Sequence, residues 1–257
     1  MRHNALYTIL FSGAVCVVCA VLVASAAVSL KEQQLHNAAL DKQRNVLFAT
    51  GLAQAGENLD ADEVQRRFEG IRSVVIDLRT GERTDIDPIG FDQAKAAKDP
   101  ATSREAPQNR ASVQRLPDHA LVYEVMDAER PSMAVVPIEG YGLWSTLYGF
   151  LAVGQDGNTI QGITYYQHGE TPGLGGEVDN PKWKSLWPGR KIYGSAGDPA
   201  IRVIKGTAGS PADAPHEVDG LTGATITSNG VTSMLDFWLG DSGFKNYLKQ
   251  FQEGQAL

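Results

Sequence analysis

Cysteine is nearly absent from this chain of 257 residues, and both copies, Cys16 and Cys19, lie inside an apolar N-terminal run. Everything downstream therefore lacks a disulfide and lacks the thiolates that an iron–sulfur centre would need. The five histidines show no metal-ligand spacing. Positive charge is also scarce: 23 Lys and Arg against 30 Asp and Glu leave a net charge of −7, which excludes the basic footprint of a nucleic-acid-binding domain. Internal repeats and low-complexity tracts are missing. The glycine-rich run Gly173-Leu174-Gly175-Gly176 lacks the G-x-G-x-x-G spacing and the βαβ context of a dinucleotide site.

A further absence says the most about location. No Asp, Glu, Lys, Arg or His occurs from Ala5 to Leu30, and at ~1.5 Å per residue such a helix exceeds the ~30 Å hydrocarbon core of a bilayer. Arg2 and the small-x-small run Ala24-Ser25-Ala26 also fit a cleaved signal peptide, but the apolar stretch is longer than the roughly 7–15 residues of a signal core. Residues 1–31 are therefore expected to be an uncleaved transmembrane anchor. Cys16 and Cys19 share one helical face and read as small packing residues. An anchor without polar groups offers an ion no path across the membrane. Arg2 on one flank faces Lys31, Lys42 and Arg44 on the other, so charge alone leaves the orientation open.

Beyond the anchor the chain reads as an α+β protein. Residues 32–115 are expected to form a membrane-proximal subdomain: a helix from Lys31 to Ala49, a short helix capped at Asp60, a β-rich stretch from Ser73 to Arg79 turning at Thr80-Gly81, and a surface excursion from Ala94 to Ala111. Residues 116–257 are expected to form the main domain. Its β-rich centre runs through Ala120–Val125, Met133–Ile138, Leu147–Val153 and Thr159–Tyr166, the last two joined by the tight turn Asp156-Gly157. The pattern predicts a mostly antiparallel sheet flanked by helices. A short helix is expected from Asn180 to Trp187, with Trp183 and Trp187 on one face as core, a strand from Ile201 to Lys205, and amphipathic helices over Val231–Leu239 and Phe244–Phe251. Lys205 is either a cation available to a bound anion or, more simply, a solvated lysine. Trp144, beside the sheet, reads as core.

The chain's chemistry concentrates in Asp219-Gly220-Leu221-Thr222-Gly223-Ala224-Thr225-Ile226-Thr227-Ser228, just before the helix expected at Val231. Free amides and the positive end of a helix dipole would converge there on an anion such as a phosphate. Glycine and alanine let that anion reach the backbone. The plainer alternative is a helix cap, since Ser and Thr are favoured at that position. Four glycines and a proline in His168–Glu177 give a second backbone able to approach a flat ring, or else a flexible surface connection.

The wording of the first segment resembles the flavinylation motif of FMN-binding domains, an Asp, a Ser or Thr, then Gly-Ala-Thr. Tyr165 to Glu177, Gly142 to Gly149, and an apolar N-terminus followed by Leu40-Asp41-Lys42-Gln43 extend the likeness. Together they resemble the C subunits of bacterial sodium-translocating NADH:quinone oxidoreductases. The resemblance implies FMN carried covalently by a phosphoester to Thr225, with Asp219, Thr222, Gly223 and Ala224 shaping the turn. It places Leu143, Trp144, Ser145 and Thr146 near the flavin phosphate and ribityl chain, and Glu170, Thr171, Gly173 and Leu174 at the isoalloxazine. It also implies a single-pass protein of the bacterial inner membrane with its large domain on the periplasmic side, in contact with membrane lipid and other subunits.

A threonine hydroxyl is a weak nucleophile without an adjacent base, and only Asp219 and His216 stand near it in sequence. A separate flavin transferase using FAD and a divalent metal is therefore expected to make the bond. With no nicotinamide motif or recognisable quinone pocket, the chain is expected to be an incomplete enzyme: a translocase subunit relaying single electrons, with no catalytic acid or base and no metal of its own. Two alternatives stand beside it, the flavin subunit of the related ferredoxin:NAD oxidoreductase ion pump and an anchored assembly or sensor protein without redox work.

Overall fold

The computed structural model describes residues 5–54 and 57–254, which fall into two compact units divided between Lys42 and Gln43. Most of helix α1 (Ala5–Thr50, 46 residues) makes up the first unit. It is long and apolar enough to cross a membrane, and among the described residues it is the one helix that is. The helix expected from Lys31 to Ala49 is the uninterrupted continuation of this same helix.

The second unit is built on a five-stranded antiparallel sheet. Its strands are β1 (Ile71–Asp77), β4 (His119–Asp127), β5 (Arg130–Tyr141), β6 (Thr146–Gly154) and β7 (Ile160–Gln167), and they lie side by side in that order. Burial runs almost unbroken through the middle of β4, β5 and β6, as a sheet covered on both faces requires. Strand β1 pairs along its whole length with β4, from Ile71 opposite Val125 to Asp77 opposite His119. A strand from the segment expected to be a membrane-proximal subdomain is thus the edge of the main sheet, paired across the boundary expected at residue 115.

One face of the sheet packs on α5 (Thr225–Trp238) and α6 (Lys245–Gln252) through Val136, Ile138, Leu151, Val231, Met234, Trp238 and Phe251. The other face carries Tyr123, Phe150 and Tyr166 in successive ring contacts at 5.8 and 5.2 Å. There the end of α1 lies so close to β7 that a Cβ on Gly162 would sit 2.3 Å from the Ala49 carbonyl oxygen. Thr164 Oγ1 donates to Asn45 O nearby at 3.2 Å. Helix α2 (Ala61–Phe68), capped by Asp60, adds Phe68 edge-on against Tyr123.

The stretch expected to be an irregular excursion holds small elements. Helix α3 (Gln93–Lys98) is capped by Asp92, and β2 (Ser103–Glu105) pairs with β3 (Arg115–Pro117). After β7 come a 3₁₀ turn (Gly175–Asp179) and α4 (Pro181–Lys184). Two-residue strands β8 (Arg202–Val203) and β9 (Glu217–Val218) come next, paired in parallel. Trp183 and Trp187 are buried edge to face, with centroids 5.2 Å apart, as their spacing suggested.

Candidate functional site

Helix α5 begins at Thr225, six residues before the start expected at Val231. The residue at its N-cap is Ala224, and no side chain caps the helix. The expected alternative of a Ser/Thr cap therefore does not hold. Ser228 N–H makes the first backbone bond of the helix, to Ala224 O at 3.0 Å, so the amides of Thr225, Ile226 and Thr227 precede the ladder as an uncapped first turn. Thr222, Gly223 and Thr225 are exposed beside them. Ser228, which could have capped the helix, instead accepts the Leu221 N–H at 3.1 Å.

Two anchors hold the turn in place. Asp219 accepts the Ala208 N–H on Oδ1 at 2.9 Å, and its carbonyl accepts Trp183 Nε1–H at 2.8 Å. The core tryptophan thus also carries the start of the motif, a role its spacing alone did not reveal. His216 donates from Nδ1 to Lys191 O at 2.8 Å. Neither residue is hydrogen-bonded to Thr225. Lys205 is exposed, as a solvated lysine would be.

The glycine-rich loop meets this turn directly. Gly223 has φ +74°, and a Cβ there would lie 2.9 Å from Leu174 Cδ2; the two motifs touch where only glycine fits. Thr171 O accepts the amides of Leu174 and Gly176 at 3.1 and 2.9 Å, folding the loop so that Thr171, Gly173 and Leu174 are exposed. The third segment, Leu143–Thr146, lies beside both. Trp144 is 65% exposed rather than core, and with Leu143, Leu174 and Ile226 it puts exposed apolar surface on the three segments around Thr225.

Glu170 departs most from expectation. Its carboxylate does not face outward toward a ring: it is buried and accepts the amides of Leu143 (3.1 Å), Trp144 (2.9 Å) and Ser145 (3.2 Å) on Oε1, and the same Leu143 amide (3.2 Å) and Thr227 Oγ1–H (2.6 Å) on Oε2. The backbone of Leu143 to Ser145 is accordingly taken up by Glu170, not presented to a phosphate, while Thr146 enters β6 half-buried. Burial pushes the Glu170 carboxyl up, but the Thr227 hydroxyl and the three amides pull it further down, so it is held below its ordinary value. Glycines wall it in: a Cβ on Gly142 would fall 2.7 Å from Oε1, and one on Gly175 2.5 Å from Oε2. Next in the loop, Gly169 N–H donates to Ser145 Oγ at 2.6 Å. His168 accepts the Glu170 N–H on Nδ1 at 3.2 Å and contacts Asp179 through Nε2 at 2.7 Å. A charged residue inside a loop so rich in glycine was the one sequence signal that could have marked this strut.

An uncapped helix start with an exposed threonine, a glycine-rich loop packed on it and an apolar rim suit a phosphate attached to a flat ring. The comparisons agree in class: residues 142–240 match the model of the FMN-binding domain. The chain belongs to the family of C subunits of the Na(+)-translocating NADH-quinone reductases. It is 48% identical to the family member from Pseudomonas aeruginosa over 254 residues, covering 97% of each chain. With the member from Yersinia pestis it shares 45% identity over 96% of its length and 93% of the relative's. Among solved structures, Shewanella oneidensis NqrC superposes with a TM-score of 0.74 at 36% identity, over 82% of this chain and 96% of that one. The corresponding reductase protein of Parabacteroides distasonis gives a TM-score of 0.66 at 27% identity, over 85% and 96%.

Proposed function

We propose that this protein is the flavin-carrying subunit of a sodium-translocating NADH:quinone reductase, with FMN joined by a phosphoester to Thr225 and relaying single electrons between partner subunits. The observation that carries this reading is the first turn of α5. Its leading residue, Thr225, is exposed, and its N-cap is an alanine without a capping side chain, so the hydroxyl and the free amides share one anion-binding corner. Relatives bearing the reductase name match nearly the whole chain.

On this reading Thr225 supplies the ester oxygen, and the first-turn amides hold the remaining charge of the phosphodiester. Leu143, Trp144, Leu174 and Ile226 offer the ring an apolar rim. Neither Asp219 nor His216 is placed to activate the hydroxyl, so the bond is made by a separate transferase. The Thr225 oxygen bonds to the flavin-side phosphorus of FAD, the anhydride breaks, AMP leaves, and the hydroxyl proton passes to the transferase. When bound, FMN supplies the one-electron chemistry. The chain itself binds, orients and anchors, and NADH oxidation and quinone reduction need the other subunits. Helix α1 holds the chain in the inner membrane among lipid, with the domain on the periplasmic side.

In-gel fluorescence of the denatured protein, produced together with a flavin transferase, tests the attachment. The wild-type band is expected to fluoresce and the Thr225→Ala band to be dark. A dark wild-type band would leave an anchored protein without covalent flavin. Sodium dependence of NADH oxidation by the purified native complex separates the quinone reductase from the ferredoxin-linked pump.

A further inference from the structure

Outside the corner at Thr225, the most heavily constrained polar group near the site is the Glu170 carboxylate. It gathers segments far apart in sequence: the amides of residues 143–145 before β6, its own loop after β7, and the Thr227 hydroxyl in the first turn of α5. All three amides reach Oε1, while Oε2 takes Thr227 and a share of the Leu143 amide at 3.2 Å. Because those amides point inward, the side chains of Leu143 and Trp144 are left on the exposed side of the turn. Thr227 lies two residues beyond Thr225 on the same helix start, so the carboxylate also fixes the corner from behind. Gly142 and Gly175 have no room for a Cβ beside it, so the pocket is built around this carboxylate.

We infer that Glu170 is a positioning residue for the flavin: it locks the 143–145 turn and the start of α5 into one cradle before the flavin arrives, and places a fixed negative charge behind that cradle. The inference rests on the reading of Thr225 as the flavin's point of attachment. Without the lock, the transferase meets a corner whose parts no longer hold together, and loading falls. Without the charge, flavin reduction, which adds negative charge near the site, becomes easier and the midpoint potential rises.

The geometry separates the two effects. In Glu170→Gln the side-chain oxygen takes the Oε1 place and keeps the bonds that the three amides make to that atom, only the Leu143 amide's share of Oε2 is lost, and the amide nitrogen faces a Thr227 hydroxyl free to rotate and accept; the lock is retained through Oε1 and the charge removed. Glu170→Ala removes both. Each variant and the wild type are produced with a flavin transferase. Covalent flavin is read by in-gel fluorescence and intact mass, folding by thermal melts of flavin-free protein, and the midpoint potential by redox titration of the flavin absorbance. A fluorescent wild type is the control for the attachment itself; a dark one defeats that reading, not the role of Glu170 in particular. Given that control, Glu170→Gln is expected to load flavin like wild type with a more positive midpoint potential, and Glu170→Ala to fold yet lose most of its loading. A Gln variant with an unchanged potential, or a folded Ala variant that loads fully, would overturn the inference. Should the Ala variant fail to fold, the Gln potential alone decides, since a merely structural carboxylate would not move it.

Discussion

Single residues set the corner's shape, and their substitutions carry definite signs. Gly223 combines a left-handed backbone, φ +74°, with contact against Leu174. Gly223→Ala is expected to cost about 1–2 kcal/mol from the backbone conformation alone, read as a lower urea midpoint at unchanged slope, and to reduce flavin loading. Glu170 makes a separate contribution through pH. Its folded-state carboxyl is held below the ordinary value of 4.5, so the stabilisation is complete above that value and is lost as pH falls through the lower folded one. Thermal melts at pH values below about 5 should therefore show the wild type losing stability more steeply than Glu170→Gln. Asp156, drawn down to about 2 by Thr159 and Lys191 against the upward push of burial, loses its charge in both proteins and cancels from the comparison.

Elements decide what can reach the corner. Helix α5 crosses β5 so closely that a Cβ on Gly230 would lie 2.4 Å from the Tyr141 carbonyl oxygen. In an open helix Gly→Ala gains about 1 kcal/mol; here Gly230→Ala is expected to destabilise by about 1–3 kcal/mol and to weaken flavin loading by pushing the helix start off the 141–145 segment. Chemical denaturation gives the sign at once. The same helix shows where sequence and structure part. Strands β4 to β7 were legible because their Val- and Ile-rich runs are bounded by turns, and the tight turn at Asp156-Gly157 marked a hairpin. The first six residues of α5, Thr225 to Gly230, are β-branched, polar or glycine and have poor helix propensity. Contacts outside the helix hold them there: hydrogen bonds of Thr227 to Glu170 and Ser228 to Leu221, and the close approach of Gly230 to Tyr141. The exposed turn at Thr225 was marked in the sequence by a motif; the inward turn of Glu170 was not, because its partners come from segments 25 to 57 residues away.

Across the whole extramembrane unit, a buried ion cluster ties the edge of the sheet to the last helix. Glu124 on β4, fully buried, accepts Arg72 of β1 at 2.8 Å, Arg83 at 2.6 Å and the Tyr247 hydroxyl of α6 at 2.9 Å. Burial, then the neighbouring Glu124 charge, pushes the Tyr247 phenol well above its ordinary value and keeps it a donor. Glu124→Ala would leave Arg83 largely buried without its carboxylate and is expected to cost about 3–5 kcal/mol, read by thermal or urea unfolding of the extramembrane unit. That framework holds the sheet beside which the three segments around Thr225 meet, while α1 carries the apolar run suited to a bilayer. The most direct test of the account is the intact mass of the chain produced together with a flavin transferase, followed by peptide mapping. The account predicts a chain heavier by one FMN less one water, with the addition on Thr225 and absent from Thr225→Ala. An unmodified wild-type mass, or an FMN carried on any other residue, would contradict it.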